Sequence, residues 1–411
     1  MHHYLQINGQ RLIGSLFALG ELGALEGGGV CRLAATAEDK AGRDFVLARM
    51  KALGLDITID AIGNVTGVYA GEEALPMVMM GSHIDTVGTG GLYDGNYGVM
   101  AGLEVVATLR DAGLRPRRPI QVAFFTNEEG ARFQPDMLGS LVLVGGLPLQ
   151  QALAVPAVDN GARLGDELQR IGYAGSAPVG RPVVDSFVEL HIEQGPVLEQ
   201  QATAIGVVEG VQGICWMEFT FDGTSNHAGT TPMALRHDAG ECAMRTAVFV
   251  AELVARYGGR QLGTVGALQL RPNLINVIPN QAVMTVDLRN TDGQRLRDAQ
   301  AEVLAFARAM ALRSGVQFQH RQLADFAPVA FDADLVASVE RHARAQGLST
   351  LRMPSGAGHD AQMLARVCPT AMVFVPSAGG LSHNVREHTA PEQLEQGANV
   401  LLQVLLERAG R

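Results

Sequence analysis

MVMMGSHID, residues 77–85, and IQVAFFTNEE, residues 120–129, decide how this chain is read. Each is a short apolar run that stops at polar groups, Gly81-Ser82-His83 in the first and Thr126-Asn127-Glu128-Glu129 in the second. Continuous apolar runs of this length suit strands buried on both faces, as in a mostly parallel sheet. In such a sheet the carboxyl ends of the strands face the crevice where ligands bind. A third run ends in Glu189-Leu190-His191-Ile192-Glu193-Gln194, and a strand-like segment, residues 371–375, precedes Gly379-Gly380-Leu381-Ser382-His383. Four strand ends thus deliver His83, Asp94, Glu129, His191 and His383.

Each of these residues alone has an ordinary explanation. A histidine after a strand is commonly a hydrogen-bonded core or surface residue. Asp94-Gly95 is a turn-favouring pair, and Glu128-Glu129 is a common solvated one. Together they read differently, because adjacent carboxylates at a buried strand end repel unless a cation or a shared proton compensates them. Imidazole with carboxylate suits zinc, manganese, cobalt or nickel rather than calcium or a thiolate-bound metal. One bridging carboxylate with two further ligands on each side is the inventory of a two-metal site. Two divalent ions per chain are expected, on His83, Asp94, Glu129, His191 and His383. Glu128, beside the ligand Glu129, is the candidate general base. Asp85, two residues after His83, is read as orienting that imidazole through its other nitrogen.

Bulk properties narrow the field. A chain of 411 residues has room for two domains with ample core. The formal charge of −10, from 32 basic and 42 acidic residues with no basic block, argues against a nucleic-acid partner. No apolar run reaches the ~20 residues of a membrane span. MHHYLQINGQRL at the N-terminus lacks a basic segment followed by an apolar core, so no signal peptide is expected. Cys31, Cys215, Cys242 and Cys368 are scattered without CxxC spacing and read as reduced thiols of a cytoplasmic protein.

The periodicity changes twice. Helices are expected over residues 37–53, 98–109 and 163–171, with strands near 55–59 and 65–69. From 214 to 328 the order becomes strand (216–221), helix (239–257), strands (264–270 and 282–288), helix (295–314), strand (316–323). That is the split arrangement of a small α+β sandwich. Helix–strand alternation then resumes and ends in a helix over 391–408. The expected fold class is α/β, with a central mixed, mostly parallel sheet in a catalytic domain of residues 1–213 and 329–411. A smaller α+β lid and dimerisation domain, 214–328, interrupts it.

The motifs GSHIDT, LYDGNYGVMAGLE, TNEEGARF, ELHIEQGPVLE, NHAGTTPM, LINVIPN, VDLRN, SGAGHDAQ and GLSHN resemble those of the N-carbamoyl-L-amino-acid hydrolase and allantoate amidohydrolase family. That family belongs to a wider superfamily of dinuclear metallopeptidases and deacylases. The resemblance runs from Gly81 to His383. It implies that Arg289 and Asn276 hold a substrate carboxylate, that Gln194 and the backbone near Gly358 line the pocket, and that His227 is an oxyanion donor. In several family members that histidine comes from the partner subunit, so a homodimer formed through the lid is implied. A guanidinium fork at Arg289 suits a carboxylate, although a surface salt bridge is its ordinary reading.

Peptidases of the superfamily usually offer a carboxylate where this chain has His191, which favours a small ureido carboxylate as substrate. The expected reaction removes the carbamoyl group of an N-carbamoyl-L-amino acid, releasing the amino acid, carbon dioxide and ammonia. Allantoate and N-carbamoyl-β-alanine are the alternative substrates. A metallopeptidase and a non-catalytic binding protein of the same fold are the remoter alternatives.

Overall fold

The computed structural model describes residues 5–410, and the first four residues of the N-terminal segment discussed above lie outside them. The chain divides into two compact units. Residues up to Gly210 together with those from Ala330 onward form the first, and Val211–Val329 forms the second.

In chain order the strands begin with β1 (Asp56–Ile59), β2 (Val65–Tyr69), β3 (Met77–His83), β4 (Ile120–Phe125), β5 (Val184–Ile192) and β6 (Ile205–Val211). The second unit contributes β7 (Gly213–Asp222), β8 (Leu262–Thr264), β9 (Leu268–Arg271), β10 (Gln281–Asn290) and β11 (Gln317–Phe326). The chain then returns with β12 (Val329–Ala330), β13 (Thr350–Ser355) and β14 (Thr370–Val375).

The first unit is built on one mixed sheet, ordered β1-β2-β4-β3-β5-β14-β6-β12, with β13 paired to β6. Its centre, β4-β3-β5-β14, is parallel. Antiparallel pairs flank it, β2 on β4 at one side and β6 on β14 at the other. Every residue of β4 and β14 is buried, which is why neither alternates apolar with polar. The helix Asn96–Asp111, buried from Asn96 to Leu109, and the helix Pro391–Ala409 pack on these central strands. Four parallel strands point their carboxyl ends at the same edge, and the chemistry collects there.

The second unit has the sheet order β11-β7-β10-β8, with β9 also paired to β10. Alternate residues of β7 (Cys215, Met217, Phe219, Phe221) and β10 (Ala282, Met284, Val286, Leu288) are buried in one core. Against them lie Val250 and Leu253 of the helix Ala239–Tyr257 and Ala299 and Val303 of the helix Gly293–Arg313. Asp238 and Asp292 cap those helices by accepting main-chain N–H groups. The other face of the sheet carries Trp216, Asp287 and Arg289.

One expected strand is two. Residues 264–270 divide into β8 and β9 because the register on β10 slips: Thr264 pairs with Asp287, but Leu268 pairs with Met284. The extra residue forms a bulge around Gly266, closed by the Ala267 N–H donating to the Thr285 hydroxyl at 3.1 Å. Among the described residues no helix is long and apolar enough to cross a membrane. All four cysteines are free thiols.

Candidate metal centre

His83 closes β3 and His191 is the penultimate residue of β5, so adjacent parallel strands bring two imidazoles to one edge. Each ring is fixed by its Nδ1. The His83 Nδ1–H donates to the main-chain carbonyl of Asp85 at 2.9 Å, and that of His191 to the carbonyl of Ile192 at 2.8 Å. A carbonyl only accepts, so Nδ1 carries a proton in both rings, and Nε2, once unprotonated, presents a lone pair to a cation. The Gly95 N–H donates to that lone pair on His191 at 3.0 Å.

Asp94 enters from the turn that begins the helix Asn96–Asp111. The next residue must be glycine: Gly95 has φ 65°, and a side chain there would overlap the His83 ring. Asp94 turns Oδ1 to His191 (3.2 Å) and His83 (3.5 Å), and Oδ2 to His383 (3.4 Å). His383 is also 3.2 Å from Oε2 of Glu129. Two donor clusters result, His83–Asp94–His191 and Asp94–Glu129–His383, sharing one carboxylate.

These separations test whether cations fit. Donor atoms bound about 2.0–2.1 Å from a four-coordinate ion stand about 3.3–3.4 Å from one another; the four imidazole–carboxylate pairs span 3.2–3.5 Å, and all donors of a cluster lie within 4.8 Å of one another. The first cluster is buried, whereas His383 is half exposed. Although burial opposes its charge, Asp94 is held well below the usual carboxylate range by His191, His383 and His83. Asp94 and Glu129 in turn push His383 up to about 10. The residues fit two divalent ions.

Glu128 is buried and points at the first cluster, with Oε2 3.4 Å from Nε2 of His83. Burial holds it well above the usual carboxylate range, against the pull of the nearby His83. The turn that carries Glu128 and Glu129 is made by Asn127, whose φ of 55° suits asparagine. Its side chain accepts from the Phe133 N–H and donates to the Phe133 carbonyl, closing the loop on itself.

Asp85 requires a correction. Its carboxylate does not touch the His83 ring; its main-chain carbonyl does. The strand ends at His83, so the alternation of strand faces no longer applies at Asp85. The carboxylate instead accepts the main-chain N–H groups of Glu128 (3.2 Å) and Glu129 (3.3 Å).

Gln194 donates from Nε2 to Oδ2 of Asp94 at 2.8 Å, and its Oε1 is buried without a partner. Gly358 is half-buried and precedes His359, whose ring packs edge-on against His191. His359 is itself anchored by Ser355 at 2.8 Å. Ser382 and Glu387, neither of them singled out in the sequence, also surround Asp94. No residue pattern marks Glu387, because the segment from His383 to Glu387 is a loop in which spacing does not fix what faces what.

The remaining expected site residues lie in the second unit. His227 and Asn276 are neighbours there: the Ala228 N–H donates to the Asn276 carbonyl at 2.9 Å, and His227 bridges to Val277. Nδ1 of His227 accepts the Gly229 N–H at 3.1 Å, which leaves the proton on the exposed Nε2. Arg289 is bound through Nε and Nη2 to Asp287, at 2.9 Å at the closest. It sits at the opposite end of β10 from Asn276, opposite Ile214. From Arg289 to Gln281, the end of β10 next to the Asn276 loop, is eight residues, or roughly 27 Å at ~3.4 Å per residue. The expectation that Arg289 and Asn276 grip one carboxylate is therefore wrong within a single chain.

A buried glutamate beside paired donor clusters, at the carboxyl edge of an α/β sheet, is the equipment of a metal-dependent hydrolase. The chain belongs to peptidase family M20/M25/M40, whose pattern matches residues 79–407. It is 40% identical over 406 residues to an N-carbamoyl-L-amino-acid amidohydrolase of Rhizobium meliloti, covering 98% of this chain and 97% of that one. It is 34% identical to an allantoate amidohydrolase of Bacillus subtilis, covering 95% of each. The crystal structure of an amidase of the hydantoinase/carbamoylase family from Burkholderia multivorans superposes with a TM-score of 0.95 at 44% identity, covering 98% of each chain.

Proposed function

We propose that the protein hydrolyses the carbamoyl group of N-carbamoyl-L-amino acids. The observation that carries this reading is Asp94 shared between two His/carboxylate clusters, with Glu128 beside them, in a chain matching a carbamoyl-amino-acid amidohydrolase over nearly its whole length. Cations held by His83, Asp94 and His191, and by Asp94, Glu129 and His383, would supply Lewis acidity and a water that ionises near neutral pH.

Glu128 takes the proton from the attacking water and returns it to the leaving nitrogen. Its buried, raised affinity for a proton makes it a stronger base than an exposed glutamate. Water adds to the ureido carbon, one C–N bond breaks, and the resulting carbamate falls apart to the products. The net change consumes one water and yields the amino acid, carbon dioxide and ammonia. The Nε2–H of His227 is the donor for the oxyanion. Arg289 pairs with the substrate carboxylate.

We further propose that these last two residues come from different copies of the chain. His227 and Asn276 reach from one subunit, and Arg289 belongs to the subunit whose metal cluster is at work. The length of β10 supports this division, as does the exposure of Leu274 and Ile275, an apolar pair beside Asn276. The working unit is then a homodimer, with Val211–Val329 as lid and dimerisation domain.

Ammonia release measured on N-carbamoyl-L-amino acids, their D-forms, N-carbamoyl-β-alanine, allantoate and a dipeptide tests the substrate. Fastest turnover of an N-carbamoyl-L-amino acid is the expected result. A preference for allantoate, which offers the same ureido group and carboxylate, would assign the protein with its Bacillus subtilis relative instead.

A further inference from the structure

Asp94 is braced by residues outside the two donor clusters. Glu387 is buried, and its Oε1 accepts the main-chain N–H groups of Tyr93 (3.0 Å) and Asp94 (3.1 Å). Its Oε2 lies 3.0 Å from the Ser382 hydroxyl, which is in turn 2.9 Å from Oδ2 of Asp94. Gln194 donates to the same Oδ2. The two oxygens of the shared carboxylate therefore differ. Oδ1 faces the His83 and His191 rings, while Oδ2 meets a hydroxyl and an amide as well as His383.

Glu387 sits on the same loop as His383, four residues on. His383 has φ 53°, a left-handed conformation that a non-glycine residue keeps only where its surroundings impose it. The restraints are close by. Thr89 donates to the His383 carbonyl at 3.2 Å, and the Glu387 N–H donates to the Asn384 carbonyl at 2.9 Å. The opposing segment makes room for the carboxylate: a side chain at Gly91 would overlap the carboxyl group of Glu387.

We infer that Glu387 is a positioning residue for the second cation, the one held by Asp94, Glu129 and His383. It ties the main chain at Asp94 to the loop that delivers His383, and it shares the single proton of the Ser382 hydroxyl with the Asp94 oxygen that faces His383, which holds Ser382 between the two carboxylates. Without this brace the half-exposed cluster loses its ligand spacing. The buried cluster depends on it less, because His83 and His191 stand on β3 and β5 and are fixed by their own Nδ1 bonds. The inference rests on the two-cation reading above.

Titration of chelator-stripped protein with cobalt(II), followed by calorimetry and visible absorption, tests it. Wild-type protein takes up two ions per chain. Glu387→Ala keeps the first ion and binds the second at least tenfold more weakly. Glu387→Gln, whose amide oxygen can still accept both N–H groups, binds both nearly as wild type does. Two-ion binding of unchanged affinity in folded Glu387→Ala overturns the inference. Should that variant fail to fold, Ser382→Ala decides: weaker binding of the second ion alone supports the brace, and unchanged binding of both refutes it. Uptake of fewer than two ions by the wild type would remove the two-cation reading and this inference together.

Discussion

Glu128 donates its main-chain N–H to Oδ1 of Asp85 across 3.2 Å, while the other oxygen of Asp85 takes the N–H of Glu129 at 3.3 Å. One carboxylate thereby sets the spacing between the proposed base and the ligand beside it. Asp85→Asn keeps the volume but turns an NH2 group toward one of those donors. The loss of a charged hydrogen bond, ~1.5–3 kcal/mol, translates into a fall in kcat of roughly 10- to 100-fold, with a smaller change in KM. Wild-type kcat in Asp85→Asn would show the carboxylate to be dispensable.

Glu128→Gln preserves shape but cannot accept a proton. Metal content, measured by elemental analysis, should survive while kcat falls by roughly 10²-fold or more. A base works only when ionised, so wild-type activity should decline on acidification, as the pH falls through the raised pKa of Glu128. Loss of metal in Glu128→Gln and its retention in Glu129→Gln would mean that the two glutamates have exchanged roles.

Cation uptake should be coupled to protons. Asp94 and Glu129 push His383 up to about 10, so the free ring carries a proton at neutral pH that an incoming ion must expel. Apparent affinity then falls as pH is lowered, by about tenfold per unit for each proton displaced. Calorimetry in buffers of different ionisation enthalpy counts the protons released. Asp94→Ala, which removes the shared ligand, should lose both ions, and an uptake independent of buffer would contradict the assignment of His383.

The strand ends were legible because central parallel strands are apolar on both faces, so the polar residue that stops each run stands out. His83 and His191 announce themselves in this way, whereas Glu129 lies four residues past the end of β4 and His383 eight past the end of β14. Asp85 did not, since its partners are main-chain N–H groups that no residue pattern displays. Arg132 shows the converse. It belongs to the specific motif TNEEGARF, yet it is buried away from the donor clusters, bound to Ala34, Asp159 and Glu167. Asn276 and Arg289 are thirteen positions apart in the sequence, and the strand expected over residues 282–288, now β10, already lay between them, so pairing them on one carboxylate conflicted with that strand. The bulge at Gly266 was overlooked, although two signs mark it: a glycine inside a strand pattern, and the odd spacing of Val265 and Leu270, which both pack on the core.

Arg289→Ala should raise KM by roughly 10-fold or more, the cost of one charged hydrogen bond at ~1.5–3 kcal/mol. Because Asp287 already holds this guanidinium in the free protein, the substrate carboxylate must share or displace that partner. A substrate amide without the carboxylate should bind poorly to the wild type and gain nothing from the substitution. Equal kinetics for the acid and amide forms would exclude Arg289 from carboxylate recognition.

The division of labour along β10 makes the dimer testable by complementation. His227→Ala alone should lower kcat by about 10²–10³-fold, the usual loss for an oxyanion donor, without loss of metal. When His227→Ala and Arg289→Ala chains are mixed, dissociated and re-associated, each hybrid dimer contains one site with its own Arg289 intact and an intact His227 from the partner. Activity should return. Mixing His227→Ala with Asn276→Ala should restore none, because both residues reach from the same subunit and every site lacks one of them. Recovery in neither mixture, with hybrids verified as mixed dimers, would put His227 and Arg289 on one chain and refute the division proposed between them. Recovery with Asn276→Ala would separate two residues that the Ala228–Asn276 bond holds together, and would refute the arrangement proposed for the lid.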